Sequence, residues 1–270
     1  MSIVTQTLQD AIQRRWKLAL GVLLVGALLA VCVHAFDLTA VLEEVQGAAE
    51  QVSEADPDDI PTDQLGQMAR GAGLVFIVGI LAFLFTLGVV VLGFFMPQGL
   101  FATADDEGAT LLSRYGGVQL ATLVLMAILG LTAAARFFTG ETPFLSGFAA
   151  IVHICLLGAA ACAISFAFAT FGIRHAAWLG LGYYVLSWLM SGLAGVLGEL
   201  ADIDAVGAVF QFVIFPAGVF RDFIRGLGPG AWDWGATGMV AYHFALWTAI
   251  ALLGLRRLAR SPDTESHDSY

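Results

Sequence analysis

The sequence predicts an all-α, polytopic membrane protein that forms a single transmembrane domain over residues 1–270. Three observations support this. The residue types A, V, I, L, M, F, W, Y and C make up 59% of the chain, and charged residues make up only 13%, about half their share in a soluble domain. In addition, six long runs contain no Asp, Glu, Lys or Arg. A soluble domain of this size needs more charge to cover its surface, so the composition excludes a soluble enzyme, a disordered chain and a secreted disulfide scaffold.

The six uncharged runs are each long enough to cross the roughly 30 Å hydrocarbon core as a helix. They are residues 18–35, 73–96, 118–135, 147–170, 176–197 and 236–255. Their continuous apolar character, without two-residue alternation, favours helices over barrel strands. A seventh stretch, 203–220, has Asp204 and Gln211 on one face. Pro216 interrupts it, so we expect a re-entrant segment there. Separately, we expect residues 261–270 to form a disordered tail.

The positions of Arg and Lys predict the orientation, because cytoplasmic loops are enriched in these residues. With six spans and both termini inside, the inner basic residues are Arg14, Arg15, Lys17, Arg114, Arg174, Arg256, Arg257 and Arg260, and the outer ones are Arg70, Arg136, Arg221 and Arg225. A seventh span at 203–220 would weaken this bias from eight against four to seven against five. We therefore expect a multi-pass protein of the cytoplasmic membrane with both termini in the cytoplasm.

The loop that follows the first span is strongly acidic, with nine Asp or Glu residues between Asp37 and Asp63. The segment 56–63 suggests a calcium loop, but Pro61 stands where an EF-hand requires glycine. We interpret the loop as a solvated acidic surface on the outer side.

The predicted spans contain no charged coupling group. Ion-coupled transporters and pumps generally need one at the membrane midplane, so its absence argues against that class. His34, His153 and His243 offer an alternative, a haem- or quinone-binding membrane anchor. A non-transporting membrane scaffold is a third possibility. No metal site is predicted, because the Cys and His residues that lie two apart on a helix face different sides.

The fifth predicted span carries a stripe of small residues, Ser187, Ser191 and Gly195, at spacings of four. Such a stripe lets two helix backbones approach closely. Both packing within the chain and packing between subunits satisfy this pattern.

The amino-terminal sequence predicts a short amphipathic helix, residues 1–16, that lies on the inner membrane surface and bends into the first span. Its segment DAIQRRW contains Asp10, Arg14, Arg15 and Trp16. This segment resembles the elbow helix, of pattern D-A-L-x-x-R-W, in the permease subunits of ABC-2 type ABC transporters. The six spans, the long first outer loop and the dipping segment before the last span are similar to that family in their order.

The inner loop between spans two and three is similar to the family's stretch of acidic-x-Gly-Thr-hydrophobic-Leu. The residues concerned are Asp105, Asp106, Glu107, Gly108, Thr110 and Arg114. The resemblance implies that this loop contacts an ABC ATPase subunit and couples ATP hydrolysis to the permease.

The partners and cofactors follow from the resemblance and from what the chain lacks. The sequence has no GxxxxGK[ST] phosphate loop, so the chain itself is not expected to be an enzyme or to bind a cofactor. The resemblance implies that ATP and Mg²⁺ bind the separate ATPase subunit. It also implies a dimer with a second permease copy or a paralogue, in the lipid bilayer, for transport or export. A net charge of −10 argues against nucleic acid as a partner.

Overall fold

The computed structural model describes residues 3–35, 62–98, 108–133, 144–201 and 234–260, and the structural statements below concern these residues. They form six α-helices and no β-strand. The helices are α1 (Ile3–Ala35), α2 (Thr62–Phe95), α3 (Gly108–Ala133), α4 (Phe144–Thr170), α5 (Ala176–Ala201) and α6 (Trp234–Arg260). The predicted all-α class is confirmed.

Five of these helices are long and apolar enough to cross a membrane. The candidate spans are Gln9–Cys32, Ala69–Phe95, Leu111–Thr132, Gly147–Thr170 and Trp234–Leu258. In α5 the part whose side chains the structure describes is an apolar helix over Ala176–Met190. These helices support a multi-pass membrane protein, and a sixth span over α5 stays a prediction.

The helix α4 is the centre of the bundle, where it packs against α2, α3, α5 and α6. Every residue from 157 to 167 is buried, which is expected for a helix that is apolar on all sides and enclosed by neighbours. This stretch is rich in alanine, with Ala159, Ala160, Ala161 and Ala163 all buried. Their small side chains let neighbouring helices approach α4 from several directions.

Consecutive helices run antiparallel, so α2, α4 and α6 run in one direction. His153 near the start of α4 contacts Thr237 near the start of α6, and Phe168 and Trp247 meet further along the same two helices. One end of the bundle therefore holds the starts of α1, α3 and α5 and the ends of α2, α4 and α6. We call it the basic end, because the eight residues predicted to be inner, Arg14, Arg15, Lys17, Arg114, Arg174, Arg256, Arg257 and Arg260, all lie in helix turns or connections near it.

A tight turn over residues 171–175 joins α4 to α5 at the basic end. The N–H of Gly172 donates to the Ala169 carbonyl oxygen (3.0 Å) and the N–H of Ile173 donates to the Phe168 carbonyl oxygen (3.3 Å). This is the hydrogen-bond pattern of a Schellman motif, which needs a left-handed residue after the helix. Gly172 supplies it with φ of 81°, and the turn makes the connection between α4 and α5 short.

The sequence prediction of a separate elbow helix is not confirmed. Ile3 to Ala35 form one helix of 33 residues, and the candidate span Gln9–Cys32 already includes the basic residues where the bend was expected. The reason is local, since no glycine or proline occurs between residues 3 and 20 to interrupt helical hydrogen bonding. The predicted re-entrant segment 203–220, the tail 261–270 and nearly all of the acidic outer loop lie outside the described residues.

Candidate functional site

Arg15, in the first half of α1, binds the end of α2 at the basic end. Its Nε–H donates to the Phe95 carbonyl oxygen (3.1 Å), and its Nη2 donates to Gln98 Oε1 (2.7 Å). The guanidinium carbon also lies 5.8 Å from the centroid of the Phe95 ring, within the range of a cation–π contact. Asp10, Arg14 and Trp16, the other residues of the predicted elbow, are exposed, so Arg15 is the member of this group that binds a neighbouring helix.

The predicted coupling loop falls only partly on the described residues. Asp105, Asp106 and Glu107 lie outside them. Gly108 is the first residue of α3 and Thr110 lies in its first turn, while Arg114 is half-buried in the second turn. The helix ends on either side of residues 99–107 both lie at the basic end, and Arg15 contacts the end of α2.

The predicted packing stripe of α5 is described only at its first member. Ser187 is buried and donates to the carbonyl oxygen of Tyr183 on its own helix (2.7 Å). Ser191 and Gly195 lie on α5, but their surroundings are outside the described part of the structure. The burial of Ser187 inside a single chain supports packing within the chain at this position.

A cavity of about 520 Å³ opens at the basic end between α2, α4, α5 and α6. Its polar lining residues are Gln98, Ser165, Arg174 and His175, and its apolar ones include Trp178 and Leu258. The tight turn after α4 creates this cavity, because it sets Arg174 and His175 directly in front of α5. The sequence alone did not predict this cavity. The available signal was an Arg-His pair that follows a glycine and precedes an apolar run.

A neutral polar cluster joins α3 to α4 and α6 inside the bundle. Gln119 Nε2 donates to the Tyr115 hydroxyl (2.8 Å) and to the Ala159 carbonyl oxygen (3.3 Å). The Tyr115 hydroxyl lies 3.4 Å from Thr248 Oγ1, and its ring packs on Phe166 with centroids 4.2 Å apart. These groups exchange hydrogen bonds without introducing a charge.

The two buried histidines do not form a ligand set in the described structure. The Nδ1 atom of His153 lies 3.0 Å from Thr237 Oγ1, and both residues are buried. His243 is buried six residues beyond Thr237 on α6, which corresponds to a rise of about 9 Å. The side chain of His34 is outside the described residues. Among those that are described, no group of three His, Cys, Asp or Glu residues is placed to hold a metal ion.

The buried interior of the bundle is uncharged in the described residues. Its polar members are Thr86, Thr122, His153, Ser165, Thr170, Ser187, Thr237 and His243. The buried set thus contains hydroxyl and imidazole groups and no carboxylate, lysine or arginine.

Comparisons with known proteins give no relative for this chain. No protein-family model matches it, and neither does any curated protein or solved structure. Support for a function therefore comes from the residues and the geometry described above.

Proposed function

We propose that this protein is the permease subunit of an ATP-driven ABC-2 type transporter, and that it forms half of a translocation path in the membrane. The observation that best supports this is the uncharged interior of the helical bundle. Transport driven by a proton or sodium gradient generally requires a charged group at the midplane to hold the coupling ion. The described residues bury no such group in the bundle, which fits an energy source outside the membrane.

The chain itself supplies no nucleotide site, since it has no phosphate loop. In this proposal a separate ABC ATPase subunit binds ATP and Mg²⁺, and closure of the ATPase pair drives the permease. A second permease copy or a paralogue completes the path. Six spans are part of the proposal, with α5 as the fifth, because its 26 residues rise about 39 Å as a helix.

The ATPase subunit binds the basic end in this proposal. The acids Asp105, Asp106 and Glu107 stand immediately before α3 in the sequence, and Arg114 follows in its second turn. Charged groups of both signs at one site suit a complementary charged surface on a partner. Arg15 binds α1 to the end of α2, which directly precedes this loop in the sequence. A displacement of the loop would therefore move both α1 and α2.

The test is a triple alanine variant of the loop, Asp105→Ala, Asp106→Ala and Glu107→Ala. A matched control, Asp56→Ala with Asp58→Ala and Asp59→Ala, removes three acids from the predicted outer loop. The free energy of unfolding of both variants should stay within about 0.5 kcal/mol of the parent's, because substitutions at surface sites rarely change stability by more. The inner variant alone should lose co-purification with the ATPase subunit and stimulation of ATP hydrolysis.

Unchanged co-purification and stimulation in the inner variant would remove this loop from the coupling mechanism. Loss in both variants would indicate a general charge effect. An absorbance spectrum distinguishes the alternative class, since a Soret band in the purified protein would support a haem-binding anchor.

A further inference from the structure

The cavity at the basic end lies where the predicted membrane meets water. Its wall includes the turn between α4 and α5, the turn residues Pro97 and Gln98 that follow α2, and Leu258 in the last turn of α6. Trp178, on its rim, is 60% exposed, and Phe171 in the adjoining turn is 52% exposed. Large aromatic side chains are enriched at the level of the lipid headgroups, so the cavity opens at that level.

The electrostatics of the cavity favour an anion. Arg174 and His175 line it, and Arg174 forms no ion pair within the described part of the chain. The described residues that line the cavity include no Asp or Glu.

The amino end of α5 adds backbone donors to the same cavity. The Leu179 N–H donates to the His175 carbonyl oxygen (3.0 Å), the first bond of the helix. The three residues between them, 176–178, line the cavity, and their N–H groups belong to the first turn, which has no intrahelical acceptor. Such N–H groups carry partial positive charge and bind anions.

Ser165 provides an independent indication of a ligand. It lines the cavity and is only 2% exposed, yet it makes no hydrogen bond to another described residue. Buried hydroxyl groups normally have a partner. Gln98 also lines the cavity, and because its Oε1 accepts from Arg15, its amide nitrogen remains a donor.

We propose that this cavity binds a phosphate-bearing anion, which in the membrane is the headgroup of an anionic phospholipid. The guanidinium group of Arg174 and the N–H groups of residues 176–178 are suited to bind the phosphate, while Trp178 and Leu258 are suited to contact the apolar part of a lipid. Basic pockets between helices at the membrane surface recognise such headgroups, and about 520 Å³ is within the usual size of a ligand site. The site goes beyond the proposed transport function and does not depend on it.

The experiment titrates short-chain phosphatidylglycerol into the detergent-solubilised full chain and follows tryptophan fluorescence and the thermal melt. Phosphatidylcholine of the same chain length and inorganic phosphate are titrated in parallel. Phosphatidylglycerol should bind and raise the melting temperature, with phosphatidylcholine clearly weaker. If inorganic phosphate competes equally well, the source of the ligand is a soluble phosphate and the lipid assignment is overturned.

Three variants locate the binding. Arg174→Gln should weaken phosphatidylglycerol binding by about tenfold, as expected for a charge-assisted hydrogen bond. Ala169→Phe fills the cavity without changing charge and should abolish binding. The matched control is Arg256→Gln, which removes an exposed charge at the same end. It lies outside the cavity lining and should change binding by no more than about twofold, because such charges are screened by salt.

Equal weakening by Arg174→Gln and Arg256→Gln, with no effect of Ala169→Phe, would show lipid attraction to the whole basic surface and overturn the pocket. The melt of each variant without lipid reports its folding. If Ala169→Phe unfolds, Ser165→Ala replaces it, because loss of the hydroxyl should weaken binding while leaving the charge intact. If the parent chain binds none of the three probes, the proposal is also overturned.

Discussion

At the scale of single residues, glycine decides how closely the helices approach. A Cβ built on Gly93 of α2 would lie 2.6 Å from the carbonyl oxygen of Gly158 and 2.8 Å from the Ala161 Cβ. The first of these atoms belongs to the backbone of α4, which cannot rotate away as a side chain can. Close backbone contact of this kind is a main source of helix association in membranes, because lipid provides no hydrophobic drive between helices.

We therefore expect Gly93→Ala to separate α2 from α4 and to lower the free energy of unfolding by about 1–3 kcal/mol, the usual cost of overpacking. Gly79 on the same helix is the matched control, since nothing lies within 4 Å of a Cβ built there. Gly79→Ala should not destabilise the protein, as alanine is the better helix former. Unfolding in detergent measures both, and equal stabilities would show that the α2–α4 contact is looser than described.

At the scale of helices, α1 is held to α2 by the polar contacts of Arg15 as well as by apolar packing. Arg15 reaches the carbonyl oxygen of Phe95 and the side chain of Gln98 across the helix boundary. The last turn of α2 has carbonyl groups without intrahelical donors, and the carbonyl oxygen of Phe95 accepts from Arg15 as well as from the Gln98 N–H (3.2 Å). Arg14, next to it, is exposed, so adjacent residues of the same type have different structural roles.

We expect Arg15→Gln to lower the free energy of unfolding by about 1–2 kcal/mol, because hydrogen bonds from a charged donor are among the stronger ones. Arg14→Gln removes the same charge and should stay within about 0.5 kcal/mol of the parent. Thermal melts of the two variants in one detergent give the comparison. If both lose the same stability, the effect is due to charge and not to the contacts with α2.

At the scale of the whole molecule, the helices gather the predicted inner basic residues at one end of the bundle. The sequence predicts this grouping from the alternation of spans, and the antiparallel arrangement of consecutive helices agrees with it. Which side of the membrane the basic end faces stays a prediction from the positive-inside rule.

We expect both termini and residues 103–117 to face the cytoplasm, and residues 37–70 to face outward. Single cysteines at Ser266 and Ser53, in a background without Cys32, Cys155 and Cys162, test this by labelling from each side. A membrane-impermeant reagent added outside should label position 53 only. Labelling of position 266 from outside would contradict the six-span orientation.

The helical regions of the described structure were largely predictable, and the contacts between them were not. The predicted run 147–170 matches the candidate span of α4, since an uncharged run of that length is a local property. The start of α1 was predicted less well. The amphipathic spacing before Trp16 suggested a separate helix, whereas helix-forming residues without a break continue into the span. The cavity was missed because Gln98, Ser165 and Arg174 are far apart in the sequence.

The sequence by itself determined that the protein is helical and membrane-spanning, because backbone groups in lipid must bond within their own segment and the apolar runs are long enough to do so. It also determined where most helices lie and that the predicted spans contain no Asp, Glu, Lys or Arg. Only the tertiary structure decided that α4 is central, that Gly93 meets the backbone of α4, that Arg15 binds the end of α2, and that Arg174 and Ser165 share a cavity. These depend on how distant helices pack, and apolar helices in lipid differ in packing mainly through small residues and a few polar contacts.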